Sequence, residues 1–227
     1  MYAIKAYYVL NFKALIKDKL SLFWSLFVPA LMLISSAGNG VKLQAIDMRW
    51  YWAYIIFNYY IYGLGLNCLQ SKTTGSLKTS FSIKNSPLEF FIANLLTQIT
   101  FSFISIFIFN IAAAILNQAD FLSMTMYSTI LIVLSIPVGF LCFNITLLNK
   151  ISYNSMSTLV NVASVVCLMF IRLESPINII NPLRNIASIL LMRSPVEIIS
   201  YIIISLICIG TGLYSTKKYS AISNEVR

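Results

Sequence analysis

Six long apolar runs, joined by short polar connections, dominate this 227-residue chain. A transmembrane α-helix needs about 20 predominantly apolar residues. The runs lie at about residues 20–37, 50–69, 88–116, 124–148, 156–171 and 196–214. Only 10% of the residues are charged, where a soluble domain carries about 25%, and the mean hydropathy is +0.82. The sequence therefore predicts an all-α polytopic membrane protein, with residues 1–227 forming a single transmembrane domain of six helices.

Two further segments are expected at the membrane surface. Residues 1–17 carry apolar side chains at helical spacing with lysines on the opposite side, which predicts a helix lying in the membrane interface. The apolar side chains are those of Met1, Ile4, Tyr8, Phe12 and Leu15. The alternative is an extension of the first span. Residues 172–195, between the last two runs, are too polar and proline-rich to span, and they are predicted to form an extracellular re-entrant segment.

The distribution of lysine and arginine predicts the orientation, because these residues accumulate in cytoplasmic loops. With both termini in the cytoplasm, 11 of the 16 basic residues lie inside. The five outside are Lys42, Arg49, Arg172, Arg184 and Arg193. The formal net charge of +9 then reflects topology and attraction to anionic lipid headgroups. Nucleic-acid binding is not expected, because the charges are scattered over short loops.

The residues that the chain lacks restrict its chemistry. It contains no histidine, which excludes histidine catalysis, the common zinc sites and histidine proton relays. Its seven acidic residues lie in loops or at the ends of runs, whereas ion-coupled carriers hold an ionisable group within the membrane. The four cysteines lie inside apolar runs without metal-site spacing, and no GxxxxGK[ST] phosphate loop occurs. We therefore expect no bound cofactor, no metal and no enzymatic activity. Energy for uphill movement must come from another protein.

Residues 70–87 form the longest polar stretch between two runs. Gly75 suits a turn, and residues 77–83 are predicted to form a short amphipathic helix parallel to the membrane. The side chains that this helix would present to one side are Leu77, Phe81 and Lys84. The alternative is an ordinary solvated loop.

The end of this stretch carries the signals of a helix start. Ser86 can act as the N-cap, Pro87 suits the first helical position, and Glu89 can complete a capping box. The third apolar run is therefore predicted to begin as a helix at Pro87.

The order of these segments resembles the permease subunits of type-2 ATP-binding-cassette exporters. Two motifs keep both ends of the family's pattern after the second span, Gly75-Ser76-Leu77-Lys78 and Ser86-Pro87-Leu88-Glu89. The sequence Asn181-Pro182-Leu183 also resembles the family's segment before the sixth span. Two features depart from the pattern: Gln70-Ser71-Lys72 replaces a glutamate-led turn, and Lys84 replaces the first proline of a pair.

The resemblance implies that the polar stretch is a coupling helix, which docks on a separate ATPase present in two copies. The residues assigned to coupling are Gly75, Leu77, Lys78, Phe81, Ile83, Lys84 and Glu89. Phe81 and Ile83 would be apolar knobs, and Lys78 and Lys84 would face acidic rims. ATP and magnesium would be bound by the ATPase. The location would be the bacterial cell membrane, and a second permease chain, identical or not, would complete the pathway.

The resemblance further implies that the second and fifth spans line the substrate path. The candidates are Tyr54, Asn58 and Tyr62 in the second span and Asn154, Thr158 and Asn161 in the fifth. An alternative for the stripe in the fifth span is close helix packing, and both interpretations hold if it forms the seam of a dimer. A third stripe is predicted to be packing contacts between helices. Its members are Asn94, Gln98, Phe101 and Ser105.

A neutral wall of tyrosine, asparagine and serine suits an amphipathic or lipophilic cargo. The leading hypothesis is an exporter permease for amphipathic peptides of the bacteriocin or cytolytic modulin type. Lipid-linked polysaccharides and drugs are alternative cargoes. A different class is a non-transporting immunity or sensor protein in the membrane, which would need no ATPase and no ordered polar segment after the second span.

Overall fold

The computed structural model describes residues 2–17, 19–38, 43–76, 78, 81, 86–148, 152–171, 178 and 181–220, with the backbone alone for residues 19–24 and 37. The described part of the chain is predominantly helical and contains no β-strand. The predicted all-α fold class is therefore confirmed.

The helices follow one another with short connections. In chain order they are α1 (Tyr2–Lys17), α2 (Lys19–Gly38), α3 (Arg49–Asn58), a π-helical segment (Tyr59–Leu66), α4 (Asn67–Thr74), α5 (Pro87–Asn117), α6 (Phe121–Leu134), α7 (Ile136–Phe143), α8 (Tyr153–Phe170), α9 (Pro182–Ser188) and α10 (Pro195–Lys218). Short 3-10 helices occupy Ala45–Met48, Asn144–Leu147 and Ile189–Leu191. The π segment joins α3 to α4, so residues 49–74 form one helical run.

Among the described residues, the helices α5, α8 and α10 are long and apolar enough to cross a membrane, and α6 with α7 makes a fourth candidate. The outward faces of α5 and α10 carry large exposed apolar side chains such as Ile108, Ile115, Leu206 and Ile207. Contiguous exposed apolar surface of this kind is typical of contact with lipid. The chain is therefore a helical membrane protein.

The predicted apolar runs coincide with helices. The run 88–116 corresponds to α5 and the run 196–214 lies within α10. The first two runs coincide with α2 and with the helical run 49–74. The number of spans above four stays a prediction.

The helical run 49–74 forms the centre of the described bundle. Trp52, Ile56, Tyr60 and Leu64 within it are fully buried. The helices α5 and α7 pack against the π segment, and α9 packs against α3. A helix that is apolar on all sides is expected to be surrounded by other helices or by lipid, and here other helices surround it.

A bend of 41° separates α6 from α7. The sequence places Pro137 at this point, and proline lacks the N–H that continues an α-helix. The Val138 N–H bonds to the Ser135 carbonyl at 2.9 Å. The Leu134 carbonyl accepts a hydrogen bond from the Tyr201 hydroxyl on α10 instead. The neighbouring helix thus satisfies a backbone group at the bend, as a membrane-spanning helix requires.

The helix α1 packs along α5. The rings of Tyr7 and Phe90 meet edge to face with centroids 5.5 Å apart, and those of Phe12 and Phe101 lie 5.0 Å apart. The predicted N-terminal helix is confirmed as a helix, and its lysines are exposed as expected. Its position in the membrane interface stays a prediction.

The predicted re-entrant segment contains α9. Asn181 caps this helix, because its Oδ1 accepts a hydrogen bond from the Leu183 N–H at 3.0 Å. The Asn181 Nδ2 donates to the Cys167 carbonyl of α8 at 2.8 Å. Leu183 and Ile186 are buried against the bundle. The sequence Asn181-Pro182-Leu183 therefore begins a helix that closes one end of the described bundle.

Candidate functional site

The polar connection after the second run begins later than the sequence predicts. The helix α4 continues to Thr74, so residues 70–74 are helical and do not belong to a loop 70–87. Gly75 then ends α4 in the left-handed conformation, with a φ of 67°. Glycine adopts this conformation without steric cost, so the predicted turn at Gly75 is confirmed.

Lys72 points into the bundle. The residue is 6% exposed, and its Nζ donates a hydrogen bond to the Thr146 carbonyl at 2.9 Å. Burial lowers the pKa of the Lys72 ammonium group, because desolvation penalises the charged form. Lys72 is therefore buried at the end of the bundle, in the segment where the exporter pattern has a glutamate-led turn.

The structure describes part of the predicted coupling set. Leu77, Ile83 and Lys84 lie outside the described residues. Lys78 is exposed, and its N–H bonds to the Gly75 carbonyl at 3.0 Å. The predicted amphipathic helix at residues 77–83 therefore stays a prediction.

The helix α5 begins at the predicted residue, but its N-cap differs from the prediction. The helix begins at Pro87 with Ser86 in the N-cap position and Glu89 in the first turn. The predicted capping box is wrong, because the Ser86 side chain makes no N-cap hydrogen bond. Ser86 has a φ of −133° and a ψ of 59°, outside the extended conformation that capping residues usually adopt.

Phe81 belongs to an aromatic cluster that we define as Phe81, Phe90, Phe143 and Tyr219. The half-buried Phe81 ring lies 6.1 Å from the ring of Phe90 and 6.1 Å from that of Tyr219. Tyr219 stacks on Phe90 at 5.8 Å and contacts Phe143 at 5.4 Å. The cluster therefore joins the polar connection to α5, to α7 and to the end of α10.

Tyr219 contributes the polar group of this cluster. The residue is 4% exposed, and its hydroxyl donates to the Cys68 carbonyl of α4 at 2.8 Å. Burial raises the pKa of the Tyr219 hydroxyl. Sequence reasoning missed this residue. The sequence feature that could have identified it is an aromatic side chain directly after Lys217-Lys218, at the end of an apolar run.

The structure brings one pair of predicted path residues together. The Tyr62 hydroxyl in the π segment donates to the Asn161 Oδ1 on α8. The buried Asn58 turns back to its own helix, where its Nδ2 donates to the Tyr54 carbonyl at 2.9 Å. The second and fifth runs therefore meet at Tyr62 and Asn161, whereas Asn58 does not reach α8.

Tyr54 lies on α3, and the two remaining candidates of the fifth run lie on an open face of α8. Asn154 and Thr158 are exposed, and the Thr158 hydroxyl donates to the Asn154 carbonyl at 3.0 Å. A shallow depression follows this face, lined by Ser155, Thr158, Leu159, Val162, Ala163 and Val166. The lining is mainly apolar, with Ser155 and Thr158 as its polar members, and none of these six side chains carries a charge.

A column of buried polar side chains runs along α5. Near the far end of this helix, Asn110 accepts a hydrogen bond from the Trp52 indole at 2.8 Å and donates to the Ser128 hydroxyl at 3.2 Å. Ser105 shares a hydrogen bond of 2.6 Å with the Tyr59 hydroxyl. The four members of the predicted third stripe are all buried, which confirms that this stripe packs between helices: Asn94, Gln98, Phe101 and Ser105.

The same column contains a fully buried carboxamide. Gln98 is 0% exposed, and neither its Oε1 nor its Nε2 has a hydrogen-bond partner among the described residues. Its side chain lies against Gly63 in the π segment, where a Cβ would come within 2.1 Å of the Gln98 Cδ. The Asn94 Oδ1 and the Ser102 Oγ, one turn to either side, are also unpaired in the described structure.

The fold and these regions define an all-α membrane protein with an anchored polar connection and an uncharged helix face. Comparison with known protein families, with characterised proteins and with solved structures finds no match to this chain. Within the described residues, no group of three or more cysteine, aspartate or glutamate side chains could hold a metal ion.

Proposed function

We propose that this chain is the permease subunit of an ATP-driven exporter and forms half of a pathway for amphipathic substrates, with peptides as the cargo. The observation that carries the proposal is the anchoring of Phe81 on Phe90 and Tyr219. A connection that only joins two helices needs no contact with a third. A connection that transmits force from a partner must be attached to the helices that move, and Phe81 supplies that attachment.

The energy source is a separate ATPase. The sequence has no phosphate loop, so ATP and magnesium are bound by two copies of a partner subunit. The partner contacts the polar connection after Gly75, which lies at the same end of the bundle as Lys217 and Lys218. This end is cytoplasmic and the protein resides in the bacterial cell membrane, in agreement with the excess of lysine over the opposite end.

The substrate path uses the uncharged face of α8 and its contact with the π segment. Six helices form half of a pathway, so a second permease chain faces this surface. Tyr62 and Asn161 combine aromatic and amide groups without a formal charge. Such a wall favours amphipathic molecules over small ions, which require charged or carbonyl ligands.

The first experiment tests whether the chain binds an ATPase. The full chain is co-expressed with each candidate ATPase from the same organism, purified as a complex and placed in lipid nanodiscs. We expect one ATPase to remain bound in stoichiometric amount and its hydrolysis rate to change when an amphipathic peptide is added. Absence of a bound ATPase would support a non-transporting membrane protein. Response to drugs or lipid-linked sugars alone would replace peptides as the cargo.

The attachment is tested by Phe81→Asp. A carboxylate between two aromatic rings costs several kcal/mol, so we expect loss of ATPase coupling and of peptide export. Phe81→Leu is the matched control, because it keeps an apolar side chain of similar volume. Normal export by a folded Phe81→Asp protein would exclude this connection as the transmission.

A further inference from the structure

The end of α10 is held beside the polar connection. Tyr219 follows α10 directly, donates its hydroxyl to the Cys68 carbonyl at 2.8 Å and stacks on Phe90. Phe81 packs on the same two rings. The backbone that carries Lys217 and Lys218 and the backbone that carries Lys78 are therefore fixed relative to one another.

Three lysines lie close in sequence to Phe81 and Tyr219. Lys78, Lys217 and Lys218 are all exposed, and they precede Phe81 and Tyr219 by a few residues. Two of these lysines have a defined direction. The Lys78 side chain lies over Gly75, where a Cβ would come within 2.8 Å of its Cε. The Lys218 Nζ lies 4.7 Å from the centre of the Tyr214 ring.

Among the described residues, few acidic side chains lie at this end of the bundle. Of the acidic side chains in the described part of the chain, only Glu89 lies here. The others, Asp47, Asp120 and Glu197, lie at the opposite end of the bundle, in the connections or the first turn of the helices that start there. The described surface around the aromatic cluster is therefore basic, and it is complementary to an acidic partner.

We infer that Lys78, Lys217 and Lys218 form a docking surface for an acidic face of the partner ATPase, and that Tyr219 is the positioning residue of this surface. The inference rests on the proposed function and extends the contact from the polar connection to the end of the last helix. Tyr219 acts through the lysines, because its own side chain is buried and cannot contact the ATPase directly.

The fixed geometry favours a protein over anionic lipid as the occupant. Lipid headgroups diffuse to any exposed lysine and require no set spacing between cations. A protein surface has acidic groups at fixed positions, and pairing with them requires lysines held in register. The buried hydroxyl of Tyr219 and the stacked rings provide this register between Lys78 and Lys218.

The decisive measurement is the affinity between the full chain and its ATPase in nanodiscs of neutral phosphatidylcholine. We expect the double variant Lys217→Gln/Lys218→Gln to weaken binding by about three- to tenfold. Its binding should also depend less steeply on salt than that of the wild type. The matched control is Lys13→Gln/Lys17→Gln, which removes the same charge from α1. It should leave both quantities unchanged.

Tyr219→Phe tests the positioning role, because it keeps the ring and removes only the hydrogen bond to Cys68. We expect weaker binding, by about threefold. If Tyr219 acts through the lysines, adding Tyr219→Phe to the lysine double variant should cause no further loss. A full additional loss would overturn the positioning role, since independent effects add.

Three other outcomes overturn the inference. If the wild type binds no ATPase, the proposed function fails and the docking surface fails with it. If the wild type and the lysine variant bind ATPase with the same affinity and salt dependence, the surface is refuted while the proposed function stands. If the lysine variant loses affinity only in nanodiscs that contain phosphatidylglycerol, the lysines serve lipid and not the ATPase.

Discussion

The helix α5 passes through two regions that differ in the hydrogen bonding of their buried polar atoms. At its first turns, Phe90 lies in the aromatic cluster, whose buried hydroxyl on Tyr219 is bonded to the Cys68 carbonyl. Further along, Gln98 is equally buried, but its carboxamide has no partner in the described structure and lies against Gly63 of the π segment. The buried hydroxyl of the aromatic cluster is therefore hydrogen-bonded, whereas the carboxamide of Gln98 is not paired within the described structure.

The free energy of a structural rearrangement therefore differs between the two regions. An unpaired buried polar group costs about 1–3 kcal/mol, so a rearrangement that gives Gln98 a partner recovers free energy. π-helical turns also occur frequently at functional sites. In the aromatic cluster, any separation of the rings loses contacts and leaves the Tyr219 hydroxyl unpaired. The comparison teaches that the bundle is rigid at the end that holds the aromatic cluster and adaptable next to Tyr62, which bonds to the predicted path residue Asn161.

The largest expected effect comes from removing the centre of the aromatic cluster. Phe90→Ala should destabilise the protein by about 3–5 kcal/mol, because Phe90 is 3% exposed and contacts Tyr7, Phe81 and Tyr219. Thermal unfolding in detergent measures this change. The matched control on the same helix is Phe103→Ala, because Phe103 is 44% exposed. Equal unfolding temperatures for the two variants would contradict the idea of a rigid end.

The next effect compares two buried amides on α5. Asn110→Leu breaks hydrogen bonds to Trp52 and Ser128, and it should cost about 1–3 kcal/mol because the Trp52 indole stays buried without a partner. Gln98→Leu removes a carboxamide that has no hydrogen-bond partner among the described residues, so it should be neutral or stabilising by about 1 kcal/mol. The same thermal measurement gives both values. A large loss for Gln98→Leu would show that the carboxamide has a partner in the membrane.

Gly63→Ala probes the contact between the π segment and Gln98. The new Cβ would lie 2.1 Å from the Gln98 Cδ, and the strain of about 1–3 kcal/mol is partly offset by about 1 kcal/mol of helix propensity. We expect a net loss that disappears in a Gln98→Ala background. Gly210→Ala is the control. Gly210 has no atom within 4 Å of its added Cβ, so it should gain stability.

The sequence predicts the helices well and the contacts between them poorly. The limits of α5 follow from Pro87 and from the length of the apolar run, both of which act locally. The π segment has no comparable signal, because Gly63 and Gly65 are also compatible with an α-helix. The burial of Lys72 was missed because the Thr146 carbonyl that accepts its hydrogen bond is distant in sequence. Phe81 was predicted as an apolar knob for a partner, and that role stays a prediction. Its contacts with Phe90 and Tyr219 were not predicted, because they bring together three separate parts of the chain.

The smallest expected effect is a pH dependence of stability that arises from Lys72. Burial lowers the pKa of Lys72 from its ordinary value of 10.5, so the folded protein binds this proton less tightly than the unfolded chain does. Between the two pKa values the unfolded chain holds more protons, and stability therefore rises with pH through that window. The contribution is constant below the folded-state pKa, where Lys72 is charged in both states, and constant again above 10.5.

Lys72→Met should remove this rise, because the variant has no proton to bind. Unfolding temperatures in buffers from neutral to about pH 10 compare the variant with wild type. Lys78→Gln is the control, because it removes an exposed lysine from the same end of the bundle. The hydrogen bond from Lys72 to the Thr146 carbonyl partly compensates the buried charge, which is why the rise is small. A wild-type curve that runs parallel to the Lys72→Met curve would show that water reaches the ammonium group, and this end of the bundle would then be less closed than the aromatic cluster indicates.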